Sequence, residues 1–166
     1  GLSMFKAAII TASDKGAQGQ REDISGQVIR EILEANGYEI VHQVILPDDR
    51  AMLASEMKQL CDEAKADLIL TTGGTGFSPR DWTPEATLDV VERLVPGIPE
   101  AMRYASLQIT KRAMLSRAVA GIRKQTLIIN LPGSPKAVRE NLEYVITELA
   151  HGLEILRGEA GECARK

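Results

Sequence analysis

The chain has 166 residues, the size of one domain, and its 44% apolar and 26% charged content is that of an ordinary globular protein. A net charge of −3 offers no basic face for nucleic acid, yet it leaves phosphate ligands open, because glycine loops and helix N-termini act locally. No apolar run approaches the roughly 18 residues that span a bilayer and the N-terminal stretch has no signal-peptide core, so the expectation is a cytoplasmic protein without membrane or nucleic-acid partners.

Gly1-Leu2-Ser3 ahead of Met4 reads as a leftover tag segment. Residues 5–12 read as a first buried strand and residues 13–23 as a polar, glycine-containing loop. Over residues 25–36, Val28, Ile29, Ile32 and Leu33 recur at helical spacing, and Gly37 supplies the stop. Residues 39–46 alternate as a less buried strand that ends in Pro47-Asp48-Asp49. Residues 50–65 read as a helix with Leu53, Met57, Leu60 and Ala64 on one face. A short apolar strand, 66–70, runs into Thr71-Thr72-Gly73-Gly74-Thr75-Gly76. Two helical stretches follow, 84–94 and about 98–110, broken at Pro96-Gly97, and residues 118–122 suggest a short strand. Residues 126–131 are a clear buried strand leading into Pro132-Gly133-Ser134-Pro135. The last helix carries Val138, Leu142, Val145, Ile146, Leu149, Leu153 and Leu156, and the tail 159–166 reads as flexible.

Strands alternating with helices imply right-handed crossovers, hence a three-layer α/β fold with a mostly parallel central sheet and helices on both faces, one domain over residues 4–158. Ligands of such folds collect beyond the carboxyl ends of the strands. Four polar loops fall on that edge: Ser13-Asp14-Lys15-Gly16, Pro47-Asp48-Asp49, residues 72–81, and residues 132–136.

The glycine loop is the most informative of them. Its glycines let backbone N–H groups approach an anion without Cβ interference, and its threonines add hydroxyl donors. It is neither a Walker A loop nor a dinucleotide fingerprint, and a tight strand-to-helix turn is the alternative reading. Thr83 reads as an N-cap with Pro84 at the first helical position. Asp81 would repel a phosphate held there unless a cation lay between them, which points to metal-assisted phosphate chemistry. Of Asp48 and Asp49, one is expected to cap the following helix and the other to face the cleft beside Asp81. Two carboxylates at one Mg²⁺ are ordinary coordination chemistry. Pro132-Gly133-Ser134-Pro135 is either a structural stop and start or a second contact with an anion or polar ring. Ser116-Arg117 either positions a charged substrate or is a solvated turn. His42 and His151 lack partners at ligand or triad spacing, and Trp82 reads as packed. Cys61 and Cys163 form no Cys-x-x-Cys motif, so neither is expected to be catalytic.

Taken together these motifs resemble the MoaB/Mog family of molybdenum cofactor biosynthesis, which is similar to the gephyrin G domain. The resemblance covers nearly the whole chain. Its most specific words are Thr71 to Gly76, Arg80-Asp81-Trp82-Thr83-Pro84-Glu85-Ala86-Thr87, Pro96-Gly97-Ile98-Pro99-Glu100-Ala101-Met102-Arg103, Ser116-Arg117-Ala118 and Leu131-Pro132-Gly133-Ser134-Pro135-Lys136. The resemblance implies a molybdopterin-binding fold, usually trimeric. It implies transfer of AMP from ATP to the terminal phosphate of molybdopterin with Mg²⁺, releasing pyrophosphate. It also implies Asp48 and Asp81 as the catalytic, metal-holding acids. Thr72, Gly73, Gly74, Thr75 and Gly76 match the loop for the molybdopterin phosphate end. Ser13, Asp14, Ser116, Arg117, Pro132, Gly133 and Ser134 match further substrate-binding positions. A non-catalytic molybdopterin carrier is the competing reading, and a nucleotide-sensing domain a third.

The helices around residues 96–115 carry Ile98, Met102, Tyr104, Leu107, Ile109, Met114 and Leu115. That surplus of apolar surface suggests self-association, although a covered core would use the same residues.

Overall fold

A computed structural model describes residues 4–158; the readings for residues 1–3 and 159–166, Cys163 among them, lie outside the described residues. Six strands form one sheet in the order β2-β1-β3-β6-β5-β4: β1 (Lys6–Ala12), β2 (Glu39–Leu46), β3 (Leu68–Thr72), β4 (Arg93–Leu94), β5 (Ala120–Arg123) and β6 (Thr126–Leu131). The pairs β1–β2, β1–β3 and β3–β6 are parallel, while β5 and β4 add antiparallel at one edge. This is the mostly parallel α/β architecture expected, with an antiparallel margin.

Strand periodicity sends alternate residues to opposite faces. Ala7 and Ile9 of β1, Leu68 and Leu70 of β3, and Leu127, Ile129 and Leu131 of β6 meet α2 (Ile24–Ala35), α5 (Gly97–Leu107) and α6 (Pro135–Arg157). Ala8, Ile10, Ile69 and Ile128 meet α3 (Arg50–Asp62) and α4 (Thr83–Leu88) on the other face. Because β1, β3 and β6 are covered on both sides, they read as continuous apolar runs. Each fully buried Leu or Ile contributes about 1.5–3 kcal/mol.

Three elements differ from expectation. The loop 13–23 contains a one-turn helix, α1 (Asp14–Ala17), capped by the Ser13 hydroxyl. The helix expected over 84–94 stops at Leu88, and the chain turns out to pair as β4. Val90 is buried against α3, the Glu92 N–H donates to the Ile122 carbonyl and the Val95 N–H to the Ala120 carbonyl. The β-branched pair Val90-Val91 gains more from sheet packing than from another helical turn. Thr83 is not the N-cap; it is the first helical residue, and Trp82 occupies the cap position with no side-chain bond. A 3₁₀ turn, Lys111–Leu115, completes the description. No helix of the described residues is long and apolar enough to cross a membrane.

Candidate active site

Sheet growth reverses at β1: β2 lies on one side, and β3 and β6 on the other. Ligand crevices open at such a switch point. Here it is a cleft of about 460 Å³ lined from all four loops, by Ser13 and Gly16, by Asp48, by Thr72, Gly73, Gly74 and Asp81, and by Gly133 and Pro135. Backbone crowding at the switch explains the glycines. Gly73 has φ +90, and a Cβ there would sit 2.5 Å from the Ala12 carbonyl oxygen of the neighbouring strand. Gly74 has φ +70, and a Cβ would collide with the Thr83 hydroxyl and stand 3.3 Å from Asp48 Oδ1. Only glycine meets both demands without strain.

The loop is then tied down by its neighbours. Thr72 Oγ1 donates to the Pro132 carbonyl at 2.6 Å, Ser25 Oγ to the Gly133 carbonyl at 2.6 Å, and the Thr83 N–H to the Gly74 carbonyl at 3.1 Å. Beneath it, the Asn130 amide donates to Thr71 Oγ1 at 3.0 Å and Thr87 Oγ1 at 2.9 Å, joining β6, β3 and α4 in the core. Arg117 holds the far end: Nε donates to the Gly76 carbonyl at 2.7 Å, one terminal nitrogen to the Asp81 carbonyl at 2.8 Å, and the other to Glu85 at 2.6 Å. With its guanidinium spent in this way, Arg117 shapes the loop and lines neither cleft.

The acids divide their work. Asp49 caps α3 by accepting from the Met52 N–H at 2.9 Å, which leaves Asp48 facing the cleft. Asp48 and Asp14 bind each other's backbone: Asp48 Oδ2 accepts from the Asp14 N–H at 3.1 Å, and Asp14 Oδ1 from the Asp48 N–H at 2.9 Å. Arg80 clamps Asp14 bidentately at 2.6 and 2.9 Å and reaches the Asp48 carbonyl at 3.1 Å. The Arg80 hydrogen bond therefore lowers the Asp14 pKa, helped by the Asp48 N–H. Asp48 moves the other way. Burial raises its pKa first, and the charges of Asp14 and Asp81 raise it further, against the lowering pull of the Asp14 N–H and of Arg80. Asp81 accepts from the Ser78 N–H at 2.9 Å, and the nearby arginines pair elsewhere, Arg80 with Asp14 and Arg117 with Glu85.

A second cleft, about 310 Å³, opens on the other side of the same loop between α5, the 3₁₀ turn and α6. Thr75, Gly76, Ser116 and Pro132 line it with Met102, Arg103, Arg112 and Asn141. The sequence-derived positions thus split in two: Ser13, Asp48, Thr72 to Gly74, Asp81 and Gly133 in the first cleft, Thr75, Gly76, Ser116 and Pro132 in the second. Ser134 caps α6 through the Ala137 N–H at 3.2 Å, and Asp14 serves the Arg80 clamp. Sequence reasoning missed Arg21, Glu22 and Asp23, which line the first cleft, and Arg80, which braces Asp48 from beside it. Arg80 lay inside a quoted motif with no role. Asp23, which caps α2 and accepts from the Thr11 hydroxyl at 2.9 Å, had only a capping signal.

Among the described residues no three His, Cys, Asp or Glu side chains converge as a metal cage. Asp48 and Asp81 line one cleft, and the charge of Asp81 acts on Asp48. That donor set fits Mg²⁺, which takes one or two carboxylates when substrate phosphates and water supply the rest.

A glycine-lined crevice at a switch point, with two carboxylates free of ion pairs, defines an α/β protein built for phosphate-bearing ligands. A family profile described as "Probable molybdopterin binding domain" matches residues 8–151, and the chain belongs to that family. It is 43% identical over 160 residues to a molybdopterin adenylyltransferase of Helicobacter pylori, covering 95% of this chain and 90% of that protein. It is 40% identical over 147 residues to one from Escherichia coli K12, covering 87% and 75%. The crystal structure of the molybdopterin biosynthesis enzyme MoaB of Thermus thermophilus superposes with a TM-score of 0.88 at 47% identity, covering 93% of this chain and 98% of that one.

Proposed function

We propose that the chain is a molybdopterin adenylyltransferase, moving AMP from ATP to the terminal phosphate of molybdopterin and releasing pyrophosphate. The observation that carries this reading is two clefts meeting at one glycine loop, with Asp48 and Asp81 in the first. A transfer between two bound substrates needs such adjacency. A phosphate oxygen of molybdopterin attacks the α-phosphorus of ATP, and the bond from that phosphorus to the bridging oxygen of pyrophosphate breaks. No protein nucleophile is required. The obstacle is bringing two anions together, and aligned binding with charge neutralisation removes it.

The backbone of Gly73 to Gly76 approaches the phosphates, and Arg117 and Thr72 keep that backbone in place. Asp48 and Asp81 would hold Mg²⁺, which when bound neutralises charge on the reacting phosphates. The Arg80–Asp14 clamp fixes the carbonyl and N–H of Asp48 and so aims its carboxylate. We place ATP in the first cleft, and the remainder of molybdopterin in the second, whose lining is more apolar and where Arg112 offers a cation.

Incubation with molybdopterin, ATP and Mg²⁺ should release pyrophosphate in step with adenylylated product. Tight pterin binding without pyrophosphate would instead identify a carrier.

We also propose a homotrimer acting in the cytoplasm, with residues 4–158 as its single domain. Tyr104, Leu107, Ile109, Met114 and Leu115 are exposed on the face expected to self-associate, whereas Met102 belongs to the core and Ile98 packs against it. Light scattering at micromolar concentration should give three times the chain mass, and a monomer would overturn the assembly.

A further inference from the structure

Glu22, Asp23, Asp48 and Asp81 all line the first cleft, so a nucleoside triphosphate entering it meets negative charge on more than one wall. Mg²⁺ held by Asp48 and Asp81 would answer that charge at one end. At the other end Asp23 is satisfied by neutral donors, the Thr11 hydroxyl and the Gly26 N–H, each at 2.9 Å. No ion pair neutralises it.

Among the described residues, one basic side chain lines this cleft: Arg21. The other nearby guanidiniums are already engaged, Arg80 on Asp14 and Arg117 on the glycine loop. Among the described residues Arg21 has no hydrogen-bond or ion-pair partner, and it stands on the lip of the cleft. On one side the Gln20 N–H donates to the Lys15 carbonyl at 2.8 Å, and on the other Asp23 caps α2. Arg21 stands in the loop between α1 and α2, whereas Asp48 and Asp81 stand in the loops that follow β2 and β3.

We propose that Arg21 binds the β- and γ-phosphates of the nucleotide, the portion that leaves as pyrophosphate, and gives the cleft its preference for a triphosphate over a monophosphate. An unspent guanidinium offers the planar, forked donors that match phosphate oxygens in pairs. The assignment rests on the adenylyl-transfer reading for which phosphates leave.

The test is calorimetric titration of the full chain in Mg²⁺ with the α,β-methylene analogue of ATP and, separately, with AMP. Arg21→Ala should weaken the analogue about tenfold, the scale of one partly exposed charge-assisted hydrogen bond, and leave AMP affinity where it was. Arg21→Lys should recover part of the loss, because charge is kept and the fork is not. In turnover the Ala variant should lose more in KM for ATP than in kcat. Equal analogue affinity in wild type and Arg21→Ala overturns the assignment, and so does an equal loss for AMP. A wild type that binds the analogue in the expected way yet releases no pyrophosphate from ATP in the presence of molybdopterin counts against the transferase reading and leaves Arg21 as a polyphosphate contact. A wild type with no affinity for the analogue overturns both.

Discussion

The two ends of the central sheet treat their acidic residues in opposite ways. At the amino ends of the parallel strands, Asp62 is paired with Arg123 at 2.8 Å and Lys124 at 3.2 Å, and Asp67 meets Arg157 at 3.1 Å and the Lys6 N–H at 2.8 Å. At the carboxyl ends Asp48 and Asp81 make no ion pair, although Arg80 and Arg117 lie beside them. Those arginines serve Asp14, Glu85 and backbone carbonyls instead. Ionisation follows the same division. Arg123 above all, with Lys124, pulls the Asp62 carboxyl down to about 2, while burial, Asp14 and Asp81 push Asp48 up. One end is neutralised within the protein. The other keeps uncompensated charge that a cation and its phosphates can satisfy, as functional sites commonly do.

Asp81→Asn tests this contrast most severely. If the charge of Asp81 serves the reacting phosphates, the variant should fold and bind molybdopterin normally, and adenylyl transfer should fall about 10²-fold or more. Asparagine keeps an oxygen for the Ser78 N–H, so the turn before α4 has no reason to fail. A matched fall in melting temperature and pterin affinity, with turnover per bound substrate intact, would make Asp81 a structural acid like Asp62.

Gly74→Ala is the next largest. Its φ of +70 and the hydroxyl of Thr83 both oppose a side chain, and the positive φ alone costs about 1–3 kcal/mol. Gly37 has a φ of +85 with open space around it, so Gly37→Ala carries the backbone strain without the collision. The Gly74 variant should melt lower than the Gly37 variant and lose transfer, and equal melting temperatures would remove the collision from the account.

The smallest effects separate the two ends by pH. The raised pKa of Asp48 means that the folded state holds its proton more tightly than the unfolded one. Its stabilising contribution is complete below the ordinary carboxylate value of 3.8 and is lost as pH rises through the folded value. Asp48→Asn should therefore raise the melting temperature at pH 7 in metal-free buffer, and the gain should vanish in acid. Asp62 has the opposite sign. Its pairing is present above 3.8 and lost as pH falls through about 2. Asp62→Asn should lower the melting temperature slightly at pH 7, less so in high salt, and progressively less as pH falls through about 2. Melting curves against pH for both variants check the signs, and parallel curves would erase the difference between the ends.

Much of the architecture was legible in the order of residues, because strand and helix formation respond to local periodicity and turn chemistry. The apolar runs that became β1, β3 and β6 and the long heptad-like spacing of α6 needed no partner to be recognised. So did the convergence of four loops, since alternation of strands and helices fixes which ends of the strands they occupy. Glycine spacing announced the loop, and an aspartate pair ahead of a helix announced one cap and one acid free to face the cleft. The tertiary structure decided what depends on residues far apart in the chain. Arg80 reaches Asp14 across 66 positions, and Arg117 reaches Gly76 across 41, so no local signal could say that one would clamp an acid and the other hold a loop. The same holds for Arg93-Leu94, expected in a helix but paired with β5, and for Thr83, whose hydroxyl was taken into the core against Gly74 and not to the cap. Sequence determined which groups were present at the cleft; long-range packing and charge pairing determined which of them were already satisfied and which were left to meet a ligand.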